Sequence, residues 1–178
     1  VPAVQYGMGL STSWKNFEFN ILFQGSGKCD FFIGGNGPHA FRNGQTGNIL
    51  QTMVDDNRWI PSEISGDVST ENPNANWPRL TWGNNDNNNQ KSTFWLRDGR
   101  YIRLKNIELR YNVPTTFTRK FFVSNMQIGF IGENLHTWSP FKLWDPENAT
   151  TDEKNSGVRS GNAYPINRTY SCYIKLSF

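Results

Sequence analysis

Tyr170-Ser171-Cys172-Tyr173-Ile174-Lys175-Leu176-Ser177-Phe178 decides how this chain is read. Tyr170, Cys172, Ile174, Leu176 and Phe178 recur at every second position and all tolerate apolar surroundings, whereas Ser171, Lys175 and Ser177 alternate with them and prefer water. Side chains on a strand point alternately to its two faces, so this period marks an amphipathic β-strand. A soluble sandwich can use such a strand. One that stops on an aromatic residue is more typical of bacterial outer-membrane barrels, whose greasy face meets lipid.

The same alternation recurs upstream. Val4, Tyr6, Met8, Leu10, Thr12 and Trp14 alternate with Gln5, Gly7, Gly9, Ser11, Ser13 and Lys15. After Lys15-Asn16, a tight turn, Phe17, Phe19, Ile21 and Phe23 alternate with Glu18, Asn20 and Gln24. The two runs predict an antiparallel hairpin with aromatics on one face. A further strand runs to Val113, where Pro114 ends it. Within it Ile102 and Leu104 share one parity, and Ile107, Leu109, Tyr111 and Val113 the other, so a β-bulge is expected near Lys105-Asn106. Asp98-Gly99 before it is a turn signal, and Thr115–Lys120 is a short connection. Met126, Ile128 and Phe130 open another strand. The segments between are different. From Gly34 to Lys91 the pattern dissolves into Gly, Asn, Pro and Trp, broken only by Ile49, Leu50, Met53 and Val54 at helical spacing after Asn48. The run Asn84–Asn89 holds one carboxylate, Asp86, which favours a solvated turn over a calcium site.

Bulk composition narrows the class. The 178 residues carry a net charge of +3 without a basic run, which gives nucleic acid no footprint. Mean hydropathy is −0.64, and no run of about 18 apolar residues exists, so a transmembrane helix is excluded. Transmembrane strands escape that test, because only half their residues are apolar. Aromatics reach 15%, a level that suits interface girdles or a sugar-stacking surface. Cys29 and Cys172 are too few for a disulfide scaffold.

Short and long connections alternate, as in outer-membrane barrels with short periplasmic turns and long extracellular loops. The expected fold is all-β: the last strands of a large antiparallel transmembrane β-barrel, with strands at about 3–15, 17–33, 94–113, 121–136 and 166–178. Extracellular loops are expected at 34–91 and 137–165. Tyr6, Met8, Leu10, Phe17, Phe19, Ile21, Met126, Ile128, Ile174 and Leu176 are expected to face lipid. Gln5, Ser11, Glu18, Asn20, Gln127, Lys175 and Ser177 are expected to face the lumen.

Several motifs carry a resemblance. Ser92-Thr93-Phe94-Trp95-Leu96-Arg97-Asp98-Gly99-Arg100-Tyr101-Ile102-Arg103-Leu104-Lys105-Asn106-Ile107-Glu108-Leu109 closely resembles a signature of the SusC/RagA family, TonB-dependent outer-membrane transporters of Bacteroidetes. Asn72-Pro73-Asn74-Ala75-Asn76-Trp77-Pro78-Arg79-Leu80 is similar to the segment preceding it. Gly132-Glu133-Asn134-Leu135, Trp144-Asp145-Pro146-Glu147 and Tyr164-Pro165 match in order, as does the opening, Tyr6-Gly7 through Phe23-Gln24-Gly25. The resemblance covers essentially the whole chain. It implies a barrel of about 22 strands with a plugged lumen, of which the chain, 1–178, would be the C-terminal portion. Plug, TonB box and leader would lie upstream, so a longer polypeptide is expected.

The implied function is import of large nutrients, glycan or peptide fragments, at the bacterial cell outer membrane. A SusD-like surface lipoprotein would cap the barrel, and TonB would act through the missing N-terminal part. No enzyme activity, cofactor or metal enters this reading. Trp59, Trp77, Arg79, Trp82, Trp138 and Trp144 are candidates for contact with substrate or lid; the competing role for each Trp is packing the loops against themselves. Phe178 resembles the aromatic assembly signal of barrel proteins. The alternative function is a soluble β-sandwich carbohydrate-binding module, in which the aromatic face is buried against a second sheet. Asp55 with Asp56, or Asp145 with Glu147, could pair as acid and base, but neighbouring loop carboxylates are more often turn formers. The Asn-x-Thr triplets at Asn148 and Asn167 lose meaning in a bacterial protein.

Overall fold

The computed structural model describes residues 3–42, 48–55, 57–83, 85–147 and 157–178. The chain divides into two compact units. A sheet unit comprises 1–30, 98–148 and 165–178, and a loop unit comprises 31–97 and 149–164.

Five strands build the sheet unit: β1 (Val4–Trp14), β2 (Phe17–Gly27), β5 (Tyr101–Val113), β6 (Asn125–Trp138) and β8 (Thr169–Ser177), hydrogen-bonded in that order and all antiparallel. Lys15, at φ 53°, and Asn16 form the two-residue turn that pairs Trp14 with Phe17. Pro114 breaks β5 by withholding an N–H, and the four-residue helix α3 (Thr115–Thr118) begins the connection to β6.

Both β2 and β6 skip Lys105 in pairing with β5, so the ladder shifts register between Leu104 and Asn106. A single unpaired residue flips the alternation, which returns Ile102 and Leu104 to the face held by Ile107 and Leu109. Opposite the bulge, Asn134 in β6 takes φ 52°, in the left-handed region where Asn is one of the few tolerated side chains. Two sequence expectations split. The run 94–113 is not one strand: Thr93–Trp95 is a 3-10 turn, Leu96–Asp98 is a short strand of a separate small sheet, and only Tyr101–Val113 belongs to the five-stranded sheet. The run 17–33 is two strands, because Lys28 at φ 46° ends the pairing of β2, and Asp30–Ile33 forms a separate strand, β3.

In the loop unit, β3, β4 (Leu96–Asp98) and β7 (Val158–Arg159) make a small sheet in the order β4-β3-β7. The helical island of the sequence is α1 (Gln51–Asp55), whose last carbonyls, Met53 and Val54, accept from the Arg58 guanidinium at 3.0 and 3.1 Å. A second short helix, α2 (Ser62–Ser65), ends on Gly66 at φ 74°. Phe31, Ile33, Met53, Ala75, Trp77 and Trp95 are buried and form the apolar interior.

Candidate membrane face and ligand site

Register assigns every sheet residue to a face. Trp14, Phe17, Tyr111, Ile128 and Ile174 are paired across all five strands in one row. Thr12, Phe19, Leu109, Phe130 and Cys172 form the next row on that face. Tyr6, Met8, Leu10, Ile21, Phe23, Ile102, Leu104, Ile107 and Trp138 continue it. This face is apolar apart from His136, which pairs with Leu104, and no element among the described residues covers it: Met8 is 68% exposed, Trp14 67% and Ile174 63%. A soluble monomer rarely leaves so continuous an apolar patch against water.

The opposite face is mostly polar, Leu22 and Ile131 apart, and internally bonded. Its matching row is Ser13, Glu18, Arg110, Gly129 and Tyr173. Arg110 lies between Glu18, at 3.0 Å, and Glu108, at 3.3 Å. Asn112 donates to Glu18 at 2.9 Å and accepts from Gln127 at 2.8 Å, while Asn20 donates to Glu108 at 3.1 Å. Tyr173 lies over Gly129, where any Cβ would strike its ring. The absent side chain therefore lets the tyrosine reach Glu108 across β6, at 3.4 Å.

At the end of the sheet where β5 starts and β6 finishes, Arg103 is 1% exposed. An unpaired buried guanidinium is costly, and two carboxylates answer it. Asp145 bonds it at 2.5 Å and Glu147 lies at 3.5 Å, which ties segment 139–147 to the polar face of the sheet. Beside this clamp is a cavity of about 240 Å³ lined by Arg103, Asn134, Thr137, Lys142, Trp144 and Arg168 among others. Three side-chain atoms of these lining residues are buried and have no hydrogen-bond partner among the described residues: the indole N–H of Trp144, the amide Oδ1 of Asn134 and Arg103 Nε.

The loop unit holds a second cavity, of about 180 Å³, beside His39, Arg42 and Trp95. His39 is 6% exposed and neither ring nitrogen has a hydrogen-bond partner among the described residues; its ring meets Trp95 edge-on at 5.0 Å. Burial first, and the Arg42 charge second, lower its pKa from 6.5 to about 4, so it is neutral at pH 7. On the unit's surface, side-chain and backbone bonds from Ser69 hold the Asp67 carboxyl below its usual range.

No protein-family model matches this chain. TonB-dependent receptor P26 of Formosa agariphila is 28% identical over 182 residues, spanning 100% of this chain and 17% of that protein. TonB-dependent receptor P3 of the same organism is 28% identical over 188 residues, spanning 99% and 17%. Among solved structures, the RagAB peptide importer in its closed-closed state matches with a TM-score of 0.70 at 20% identity, over 100% of this chain and 17% of that one. Its open-open state matches with a TM-score of 0.64 at 21% identity. The chain is SusC/RagA-like and resembles TonB-dependent receptors. It spans about 17% of the length of the curated relatives it matches. Its location is the bacterial outer membrane, the place of the receptors it resembles.

The structure distributes the residues singled out from this SusC/RagA-like sequence among several environments. Trp77 is 3% exposed, its ring 6.3 Å from Trp95, and it takes the packing role. Trp59 is half-buried, and its backbone N–H donates to the Trp77 carbonyl at 2.9 Å. Arg79 and Trp82 are exposed, Trp82 with its ring 5.2 Å from Phe41. Trp138 ends the apolar face, 6.4 Å from Phe23. Trp144 sits edge-on to Phe141 at 5.0 Å, on the cavity beside Arg103. Phe178 is 88% exposed beyond β8. Asp145 and Glu147 are occupied by Arg103 rather than set up as an acid–base pair, and Asp56 and Asn148 lie outside the described residues.

Sequence reading missed Arg103 as the organiser of this end. The signal was present: an Arg at a position whose neighbours alternate with apolar residues, and an Asp-Pro-Glu triplet downstream able to neutralise it. It missed Asn134, Lys142 and Arg168 because nothing local marks residues that only a loop brings together.

Proposed function

We propose that this chain forms part of the wall and outer mouth of a large closed β-barrel of about 22 strands. In this reading the barrel imports glycan or peptide fragments across the outer membrane, capped by a SusD-like lipoprotein and energised by TonB through a plug-bearing part outside this chain. The observation that carries the proposal is the five-stranded sheet whose apolar face is exposed on every strand while its polar face is hydrogen-bonded across strands. The sandwich alternative buries the aromatic face under a second sheet, and here that face stays bare. In lipid the open edges of β1 and β8 need further strands, because an unpaired backbone group costs several kcal/mol, roughly, in hydrocarbon. Lipid therefore belongs on the apolar face and the lumen on the polar one. A peptide cargo draws support from the solved relative described as a peptide importer. Arg79, Trp82, Trp138 and Trp144 are the proposed contacts for cargo or lid, with Trp59 and Trp77 shaping the loop beneath. Phe178 is proposed as the assembly signal, so its deletion from the full-length receptor should sharply lower the folded amount in the outer membrane.

Uptake tests the proposal. Cells carrying the full-length receptor should accumulate fluorescent peptide or glycan fragments. Accumulation should stop when the receptor gene is deleted and when the inner-membrane proton gradient is collapsed. Undiminished accumulation in the deletion strain would overturn import as the function.

A further inference from the structure

The short connection between β5 and β6 carries side chains that the wall role does not use. Phe117 is 56% exposed, Phe121 63% and Phe122 91%, and the Phe117 and Phe121 rings lie 5.6 Å apart. Here α3 runs into a 3-10 turn, Arg119–Phe121, and only Thr118 is buried. Phe122 ends the turn at φ 58°, a left-handed conformation in which a bulky side chain is an outlier. Its N–H donates to the Arg119 carbonyl at 3.2 Å, and the Val123 N–H donates to the Thr118 carbonyl at 3.3 Å. The backbone thus retains a strained residue whose ring is left almost wholly uncovered, and such strain persists where function uses it.

The charge on this turn is of one sign. Arg119 and Lys120 are exposed and form no ion pair among the described residues. No Asp or Glu occurs from Leu109 to Gly132. Across the strands at this end, the Glu18 carboxylate is taken by Arg110 at 3.0 Å. On the adjacent turn Lys15 adds a third cation, 4.5 Å from the centre of the Trp14 ring.

Depth identifies the surroundings. Trp14, Phe17 and Tyr111 share one row of the apolar face, as aromatics do at a barrel's membrane interface. Pro114 lies three residues past Tyr111. That is about 10 Å of strand, or about 7 Å of depth at a tilt of about 45°. The turn therefore emerges within one headgroup layer, which is roughly 5–8 Å thick. Exposed rings beside unpaired cations are the composition of segments that lie in this layer, where rings enter the acyl boundary and cations meet phosphate.

We propose that segment 115–122 is an interfacial anchor for anionic phospholipid. Phe117, Phe121 and Phe122 enter the edge of the acyl layer, and Arg119 and Lys120 bind headgroup phosphates. The inference rests on the barrel reading, which puts the apolar face of the sheet in lipid. It goes beyond an aromatic girdle, because the turn selects the headgroup as well as the depth.

The test uses the full-length receptor, with its own cysteines replaced, in nanodiscs of phosphatidylcholine and phosphatidylglycerol. Nitroxides placed singly at Phe121 and Phe122 should favour oxygen over a water-soluble nickel complex. Bimane on Thr116→Cys should be quenched by brominated phosphatidylglycerol about fivefold more than by brominated phosphatidylcholine at the same mole fraction, the preference supplied by one cation near an anionic surface. Arg119→Gln/Lys120→Gln should bring that ratio to about one. Nickel access at both nitroxides, or shielding of both from oxygen and nickel alike by protein, would overturn the anchor. Equal quenching by the two lipids in the receptor with Arg119 and Lys120 intact would overturn the selection of anionic lipid. A nitroxide at Leu10 in the same discs separates the two readings. If it favours oxygen while those at Phe121 and Phe122 do not, the anchor fails and the barrel reading stands; if it favours nickel, the barrel reading fails.

Discussion

The two units handle the same residue types in opposite ways. In the loop unit Trp77 and Trp95 are each 3% exposed, and Met53 is 1%. In the sheet unit Trp14 is 67% exposed and Met8 68%. Burial of an aromatic side chain removes about 150–250 Å² from water, a gain no water-soluble sheet would forgo along five strands. The loop unit has a small core of its own, whereas the sheet unit leaves one apolar face open, and on the proposed reading that face is built for lipid. Polar groups follow the same division. On the sheet they are gathered on one face and bonded to each other across strands.

The largest expected effect is in the loop unit. Trp95→Ala removes the ring that packs against His39 and Phe94 and lies near Trp77, and should cost about 3–5 kcal/mol. Hydrogen exchange on the full-length receptor should show loss of protection over β3 and α1, with β5 and β6 unchanged. Loss across the sheet as well would break the separation of the two units.

Next is the apolar face. Leu10→Arg places a charge mid-strand where lipid is expected, at about 2–4 kcal/mol near the membrane midplane. Heat-modifiable electrophoresis of outer membranes should show much less folded receptor, whereas Ser11→Arg, one residue away on the polar face, should assemble nearly normally. Similar losses for both would contradict the assignment of faces.

The clamp comes third. Asp145→Asn leaves Arg103 with Glu147 alone at 3.5 Å and should cost about 1–3 kcal/mol. Limited proteolysis should cut segment 139–147 faster, with the sheet intact. Unchanged cleavage would show that Asp145 does not anchor the segment.

The smallest effect is a pH dependence confined to the loop unit. Unfolded His39 takes up a proton near pH 6.5, and the folded residue does so only at about 4. Between those values the unfolded state binds more protons, so stability falls as pH drops through that window and levels off below it. Thermal unfolding of the loop unit, followed by hydrogen exchange from pH 7 to 4, should show that slope. His39→Phe should flatten it.

Much of the sheet was legible in the residues themselves. Period-2 alternation gave the apolar and polar sets, and the parity change between Leu104 and Ile107 located the irregularity that Lys105 provides. The break after Gly27 was hidden, because nothing about Lys28 marks a positive φ. The loop unit was opaque beyond one helical island. Its interior joins Ile33, Met53, Trp77 and Trp95, which lie far apart in sequence and share no period. The Arg103 clamp was half legible. Both partners stood in recognised motifs, but their pairing depends on where the segment after β6 turns.

The central claim is that the two faces of the sheet meet different solvents. Spin labels placed singly at Leu10, Ser11, Gln127, Ile128, Ile174 and Lys175 of the full-length receptor in lipid nanodiscs test it directly, by accessibility to oxygen against a water-soluble nickel complex. Labels at Leu10, Ile128 and Ile174 should favour oxygen and shun nickel, with the adjacent polar positions reversed. Nickel accessibility at all six positions alike would contradict the account.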